Sequence, residues 1–140
     1  MKKIVLLPMD ERPCNYKFPK RLFENEEIHI IEPQTLGFKK DGADYNIIKD
    51  FLCKECKDAY GLIISMDMLL YGGLIPSRIH HQDEERLRKK LDTIKELKKE
   101  NPSLKIFAFQ CIMRCPNYSS SDEEPDYYEY YGKQIHALGE

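Results

Sequence analysis

Short, continuous apolar runs alternate with amphipathic stretches along this chain. The runs are Ile4-Val5-Leu6-Leu7, Ile28-His29-Ile30-Ile31, Leu62-Ile63-Ile64, and Ile106-Phe107-Ala108-Phe109 continuing to Ile112. Continuous rather than alternating runs suit strands covered on both faces, as in a parallel sheet. The stretches between them carry helical spacing. Phe18, Leu22 and Phe23 surround Pro19, which suits a first helical turn, and Ile47, Ile48, Phe51 and Leu52 follow Asp44, a candidate N-cap. Leu87, Leu91, Ile94 and Leu97 form one stripe on a charged helix that starts near Asp83 and is closed by Asn101-Pro102. The lysines around that stripe are a solvated face. Strand and helix in alternation predict an α/β fold, a Rossmann-like or flavodoxin-like three-layer sandwich. Its parallel sheet should have about four strands, in the order 2-1-3-4 by analogy with common folds of this type.

Past Arg114 the character changes. Cys115 to Pro125 is polar and turn-rich, and a helix is expected from about Pro125, carrying Tyr127, Tyr128, Tyr130 and Tyr131. The expected division is an α/β domain over 1–115, then a polar loop and Tyr-rich helix over 116–140 that lead into a further C-terminal region. No internal repeat is visible.

Composition narrows the function classes. At 140 residues and 41% hydrophobic content the chain can build one core. Its 22 basic and 24 acidic side chains, a net charge of −2, give no polyelectrolyte character that would recruit nucleic acid or an anionic membrane. The apolar start at Ile4 meets Asp10, Glu11 and Arg12 too soon for a signal peptide, and no run approaches the ~18 apolar residues of a membrane span. The expected location is the cytoplasm. The five cysteines lack the even, dense spacing of a disulfide framework. Cys53 and Cys56 with Cys111 and Cys115 admit a zinc site, against which stands the reading as ordinary reduced thiols; no metal or other cofactor is assigned.

Candidate chemistry gathers in two loops. In open parallel sheets ligands bind beyond the carboxyl ends of the strands, where strand order reverses. In the order 2-1-3-4 that point lies between strands one and three. The loop after strand one is Pro8-Met9-Asp10-Glu11-Arg12-Pro13-Cys14-Asn15, whose two prolines stiffen the charged residues between them. Asp10 suits a metal ligand, a sugar hydroxyl acceptor or a base, and Arg12 suits a carboxylate or phosphate; a plain Asp10–Arg12 pair is the structural alternative. After strand three, Asp67 lies among apolar neighbours, a costly place for an unpaired carboxylate, so a partner is expected, with Arg12 or Arg78 the natural one. Gly72-Gly73 serves either a structural or a binding turn, and matches no phosphate-binding motif. Arg114, past strand four, adds positive charge to the same mouth. His80 and His81 are candidates for a base or metal ligand, or solvate a helix start. Cys14 is a candidate nucleophile with no histidine demonstrably near it.

Met9 to Asn15 and Ser65-Met66-Asp67-Met68-Leu69-Leu70-Tyr71-Gly72-Gly73-Leu74-Ile75-Pro76-Ser77-Arg78 resemble the two signature segments of the DUF4127 family, bacterial proteins of unknown function. Pro33-Gln34, Leu36-Gly37, Arg114 and the Ser-Ser-Asp-Glu stretch extend the resemblance over essentially the whole chain. It implies the amino-terminal portion of a longer product, with Cys14 at a position that relatives fill with a small apolar residue. It also implies site positions at Asp10, Arg12, Asn15, Asp67, Gly72, Gly73, Ser77, Arg78 and Arg114. Of these, Asp10 and Asp67 are the catalytic candidates and the others bind substrate. Two carboxylates with several arginines suit a polyhydroxylated or anionic small molecule, with a hydrolase-like reaction the first expectation. The alternative is a non-catalytic module in which the Asp/Arg groups weld this domain to a partner domain, with the Tyr-rich helix in the interface.

Overall fold

In the computed structural model, which describes residues 1–139, the four apolar runs form one all-parallel sheet. The strands are β1 (Lys2–Leu7), β2 (Ile28–Ile31), β3 (Gly61–Ser65) and β4 (Lys105–Phe109), in the order β2-β1-β3-β4. Registers of Val5 to Ile31, Leu7 to Ile64 and Ser65 to Phe109 bring the carboxyl ends of β1, β3 and β4 side by side. The expected order is the observed one, and helices flank the sheet as in a three-layer α/β fold. Glu140, the last residue of the expected terminal segment, lies outside the described residues.

The helices are α1 (Pro13–Tyr16), α2 (Phe18–Phe23), α3 (Tyr45–Glu55), α4 (Met66–Tyr71), α5 (Leu74–Ile79), α6 (Glu84–Glu100) and α7 (Tyr128–Gly139), with a 3-10 turn at Cys56–Asp58. Asp44 caps α3 by accepting from the Asn46 and Ile47 amides, and Asp83 caps α6 by accepting from Arg86 N–H. Each cap satisfies amides that have no partner inside the helix. None of these helices is long and apolar enough to cross a membrane.

The two sheet faces differ. Val5, Leu7, Leu62 and Ile64 point to one face and pack with Ile48 and Leu52 of α3, Met68 and Leu69 of α4, and Leu97 of α6 into a closed core. Fully burying each such side chain stabilises the fold by about 1.5–3 kcal/mol. On the opposite face, α1 and α2 bring Cys14, Pro19 and Phe23 toward Ile4, Leu6, Ile28 and Ile30. Beyond them the face opens, leaving Ile63, Phe107 and Phe109 exposed, Phe107 at 61%.

Three elements depart from the sequence expectation. The segment after β3, expected as a loop, folds into α4 and α5. Strand β4 stops at Phe109 rather than reaching Ile112, because its partner β3 ends at Ser65, opposite Phe109. The last helix starts at Tyr128, a few residues later than Pro125.

Candidate functional site

Asp10 follows the tip of β1 and is buried, at 6% exposure. Its Oδ1 accepts from the Arg12 amide at 3.1 Å and from Asn15 Nδ2 at 2.8 Å, and its Oδ2 accepts from Arg12 Nε at 2.7 Å. The prolines make this local closure cheap: Pro13 begins α1 with its fixed torsion and places Asn15 one turn on, over the carboxylate. The hydrogen bond that Arg12 donates to Asp10 raises the pKa of its guanidinium. Asp10 is thus largely saturated by its own turn, and Arg12 projects outward.

Asp67 sits in the first turn of α4, where the helix N-terminus favours negative charge. Ser65, the last residue of β3, caps that helix through Oγ to the Met68 amide at 3.3 Å. At 2% exposure, Asp67 accepts at Oδ2 from the Cys111 amide at 3.0 Å. The expected ion pair with Arg12 or Arg78 does not form: Arg12 is held by Asp10, and Arg78 reaches Glu124 instead. The nearest compensation for the Asp67 charge is therefore a backbone N–H of the segment beyond β4.

Gly72 ends α4 with φ of 85°, a left-handed torsion that side chains disfavour, and Gly73 follows at φ 151°. A Cβ on Gly72 would stand 2.7 Å from the Ala43 amide nitrogen, where the Ala43 N–H donates to the Gly72 carbonyl at 2.9 Å. Both glycines are buried and border neither of the cavities at the strand tips. In this structure they form the joint that turns α4 into α5. Ser77, one turn into α5, donates from Oγ to the Leu74 carbonyl at 2.5 Å.

Glu124 was not anticipated. It is fully buried, and its Oε1 receives Arg114 Nε at 2.9 Å and an Arg114 terminal nitrogen at 2.8 Å, with an Arg78 terminal nitrogen at 3.8 Å. Its Oε2 and the Nε of Arg78 are buried without a hydrogen-bond partner. Tyr118 closes the cluster by taking a hydrogen bond from Arg114 at 2.6 Å. In the sequence Glu124 is one of several acidic residues in a polar run, and only the need of Arg114 for a counter-charge hints at it.

Two cavities meet around Arg78. One of about 710 Å³ is bordered by Asp10, Arg12, Arg78 and Arg114, with Leu74 and Ile75 as an apolar wall. The other, of about 450 Å³, is bordered by Asp67, Ser77, Arg78 and Cys111. The Cys111 thiol borders the smaller one: burial raises its pKa, Asp67 and Asp10 raise it further, and Arg78 and Arg12 oppose them. Asp10, Arg12, Asp67, Arg78 and Arg114 are therefore brought to one mouth. Asn15 stands behind Asp10.

Other candidates fall elsewhere. His80 accepts at Nδ1 from the Gln82 amide and stacks on Tyr71 at 4.4 Å, and burial, then His81 and Lys90, lower its pKa. His81 faces Asp126 at 3.5 Å on the surface. Cys14 is exposed on α1 and borders the apolar groove of the open sheet face. Cys53 and Cys56 lie by the amino end of β3 and Cys111 beyond the carboxyl end of β4, so the four cysteines cannot share one ion. Burial pushes the Cys56 thiol up to about 12, which leaves it a poor nucleophile. Among the described residues no group of three or more His, Cys, Asp or Glu side chains could hold a metal ion.

The mouth combines guanidiniums, carboxylates and an apolar wall, the groups through which proteins recognise small polar anions. No curated protein and no solved structure matches the chain. The family model that does match is that of a protein of unknown function, DUF4127, and it covers residues 4–140. With that match spanning both signature loops and the Glu124 segment, the chain belongs to the DUF4127 family.

Proposed function

We propose that this chain acts on a sugar or an anionic small molecule bound at the carboxyl ends of β1, β3 and β4. The observation that carries this reading is Arg78. It borders both cavities, and its nearest carboxylate is 3.8 Å away, against 2.7 Å for Arg12 and 2.8 Å for Arg114. Its donors are the least satisfied of the three guanidiniums, so it is the group to receive a ligand anion. Asp67, held at one oxygen by the Cys111 amide, then serves as the carboxylate that accepts a ligand hydroxyl or its proton. Asp10 positions Arg12 and takes no proton itself.

The experiment is a thermal-shift screen of sugars, sugar acids and sugar phosphates against the wild type and the Arg78→Gln variant. A true ligand at about a hundredfold excess over Kd adds about 2.7 kcal/mol of stability. That shift should vanish in Arg78→Gln. A panel in which no compound moves the wild-type midpoint counts against the site.

A second function has its own support. Asp10 with Arg12 and Asn15, and Glu124 with Arg114, are closed pairs of the kind that fix a structure, and the open apolar face around Phe107 suits a partner surface. In that case the chain is a non-catalytic binding or interdomain module. Loss of a protein contact on changing Phe107, with no response to small molecules, would favour it.

A further inference from the structure

Glu124 has no role in the binding scheme above, yet it is the most buried charged group among the described residues and is incompletely paired. All the donors that approach it converge on Oε1, while Oε2 has none. Its position is behind the guanidiniums: Arg78 and Arg114 border the larger cavity and Glu124 does not. A carboxylate so placed cannot touch a ligand, but it sets the charge that the ligand meets.

The formal charges around the mouth lean negative. Arg12, Lys39, Arg78 and Arg114 stand against Asp10, Glu11, Asp67, Glu123 and Glu124, and two of the three guanidiniums are committed to close ion pairs. Arg78 alone stands at longer range, and the Asp67 charge faces the same smaller cavity. Into such a site a singly charged group brings one unit of negative charge, which Arg78 can meet, and a doubly charged phosphate brings nearly two. Burying uncompensated charge is costly, and the cost rises steeply with its magnitude. A carboxylate also matches the planar fork of one guanidinium.

We propose that Glu124 is the specificity-determining residue of the site. By neutralising Arg114 from behind, it leaves one guanidinium's worth of attraction, at Arg78, and selects the carboxylate of a sugar acid over the phosphate of a sugar phosphate. This rests on the anionic-ligand function proposed above. Glu124 acts here through Arg78 and Arg114 as a positioning residue, and removing its charge should open the site to phosphate.

The test measures the affinities of glucuronate and galacturonate beside those of glucose 6-phosphate and galactose 6-phosphate, by titration calorimetry. The wild type should bind at least one sugar acid at least tenfold more tightly than its phosphate counterpart. Glu124→Gln, which keeps the shape and removes the charge, should narrow or invert that ratio by about tenfold. The double change Glu124→Gln with Arg114→Gln removes one charge of each sign, so it should restore the preference for carboxylate. A purely structural Glu124 would not produce that restoration, and the double variant also serves if the single glutamine folds poorly. Binding with an unchanged ratio in both variants contradicts the role of Glu124 while leaving the site intact. Failure of all four compounds to bind the wild type contradicts the site and this inference together.

Discussion

At the scale of single residues, pairing separates groups that the sequence treats alike. Asp10 and Asp67 both follow strand tips, but Asp10 receives three hydrogen bonds from its own turn and Asp67 receives one, from the segment just past the neighbouring strand β4. Asp10→Ala should therefore act mainly on folding. It removes charge-assisted bonds from a buried acceptor, but Arg12 can turn to solvent, so a loss of about 2 kcal/mol is expected in urea denaturation. An unchanged midpoint would show that the turn does not depend on its carboxylate. Asp67 was legible because a carboxylate amid Met66, Met68 and Leu69 must find compensation. Its partner was not, since a backbone amide 44 residues away leaves no mark in the sequence. Glu124 was invisible for a related reason. Its neighbours Asp122 and Glu123 are exposed, and nothing in composition says which of a run of acids turns inward.

At the scale of elements, caps and glycines carried most of the legible information. Asp44 and Asp83 mark the starts of α3 and α6 because their side chains replace missing backbone acceptors, a property of the residue type that survives any context. Helices α4 and α5 escaped notice for the converse reason. Each spans six residues, too few for a period of 3.6 to show, and each is held by packing rather than by propensity. Gly72-Gly73 was open between structural and binding turns, and the torsions and the Ala43 contact give it a structural role. Gly72→Ala should cost at least about 2 kcal/mol, combining an unfavourable left-handed torsion with a backbone clash. Thermal or urea unfolding checks this, and a variant as stable as the wild type would mean that the joint relaxes easily.

For the whole molecule, the alternation of runs pointed to a parallel sheet, and analogy with common folds of that type supplied its strand order and with it the place of the mouth. The two loops named from the sequence meet there because β1 and β3 are neighbours. The difference between the sheet faces was not legible, since continuous apolar runs look the same whether one face or both are covered. The asymmetry makes a direct prediction. Leu62→Ala, on the closed face, should destabilise by about 2–5 kcal/mol. Phe107→Lys, on the open face, should change stability by no more than about 0.5 kcal/mol. Equal losses would show that the open face is covered in solution. The central claim is that a small anionic ligand binds where Arg78 joins the two cavities. Amide-resolved nuclear magnetic resonance, during titration with the sugar acids, tests it most directly. The account predicts saturable shifts at Asp67, Arg78 and Cys111 with Ile63 and Phe107 unmoved, and shifts confined to Ile63 and Phe107, or none, would contradict it.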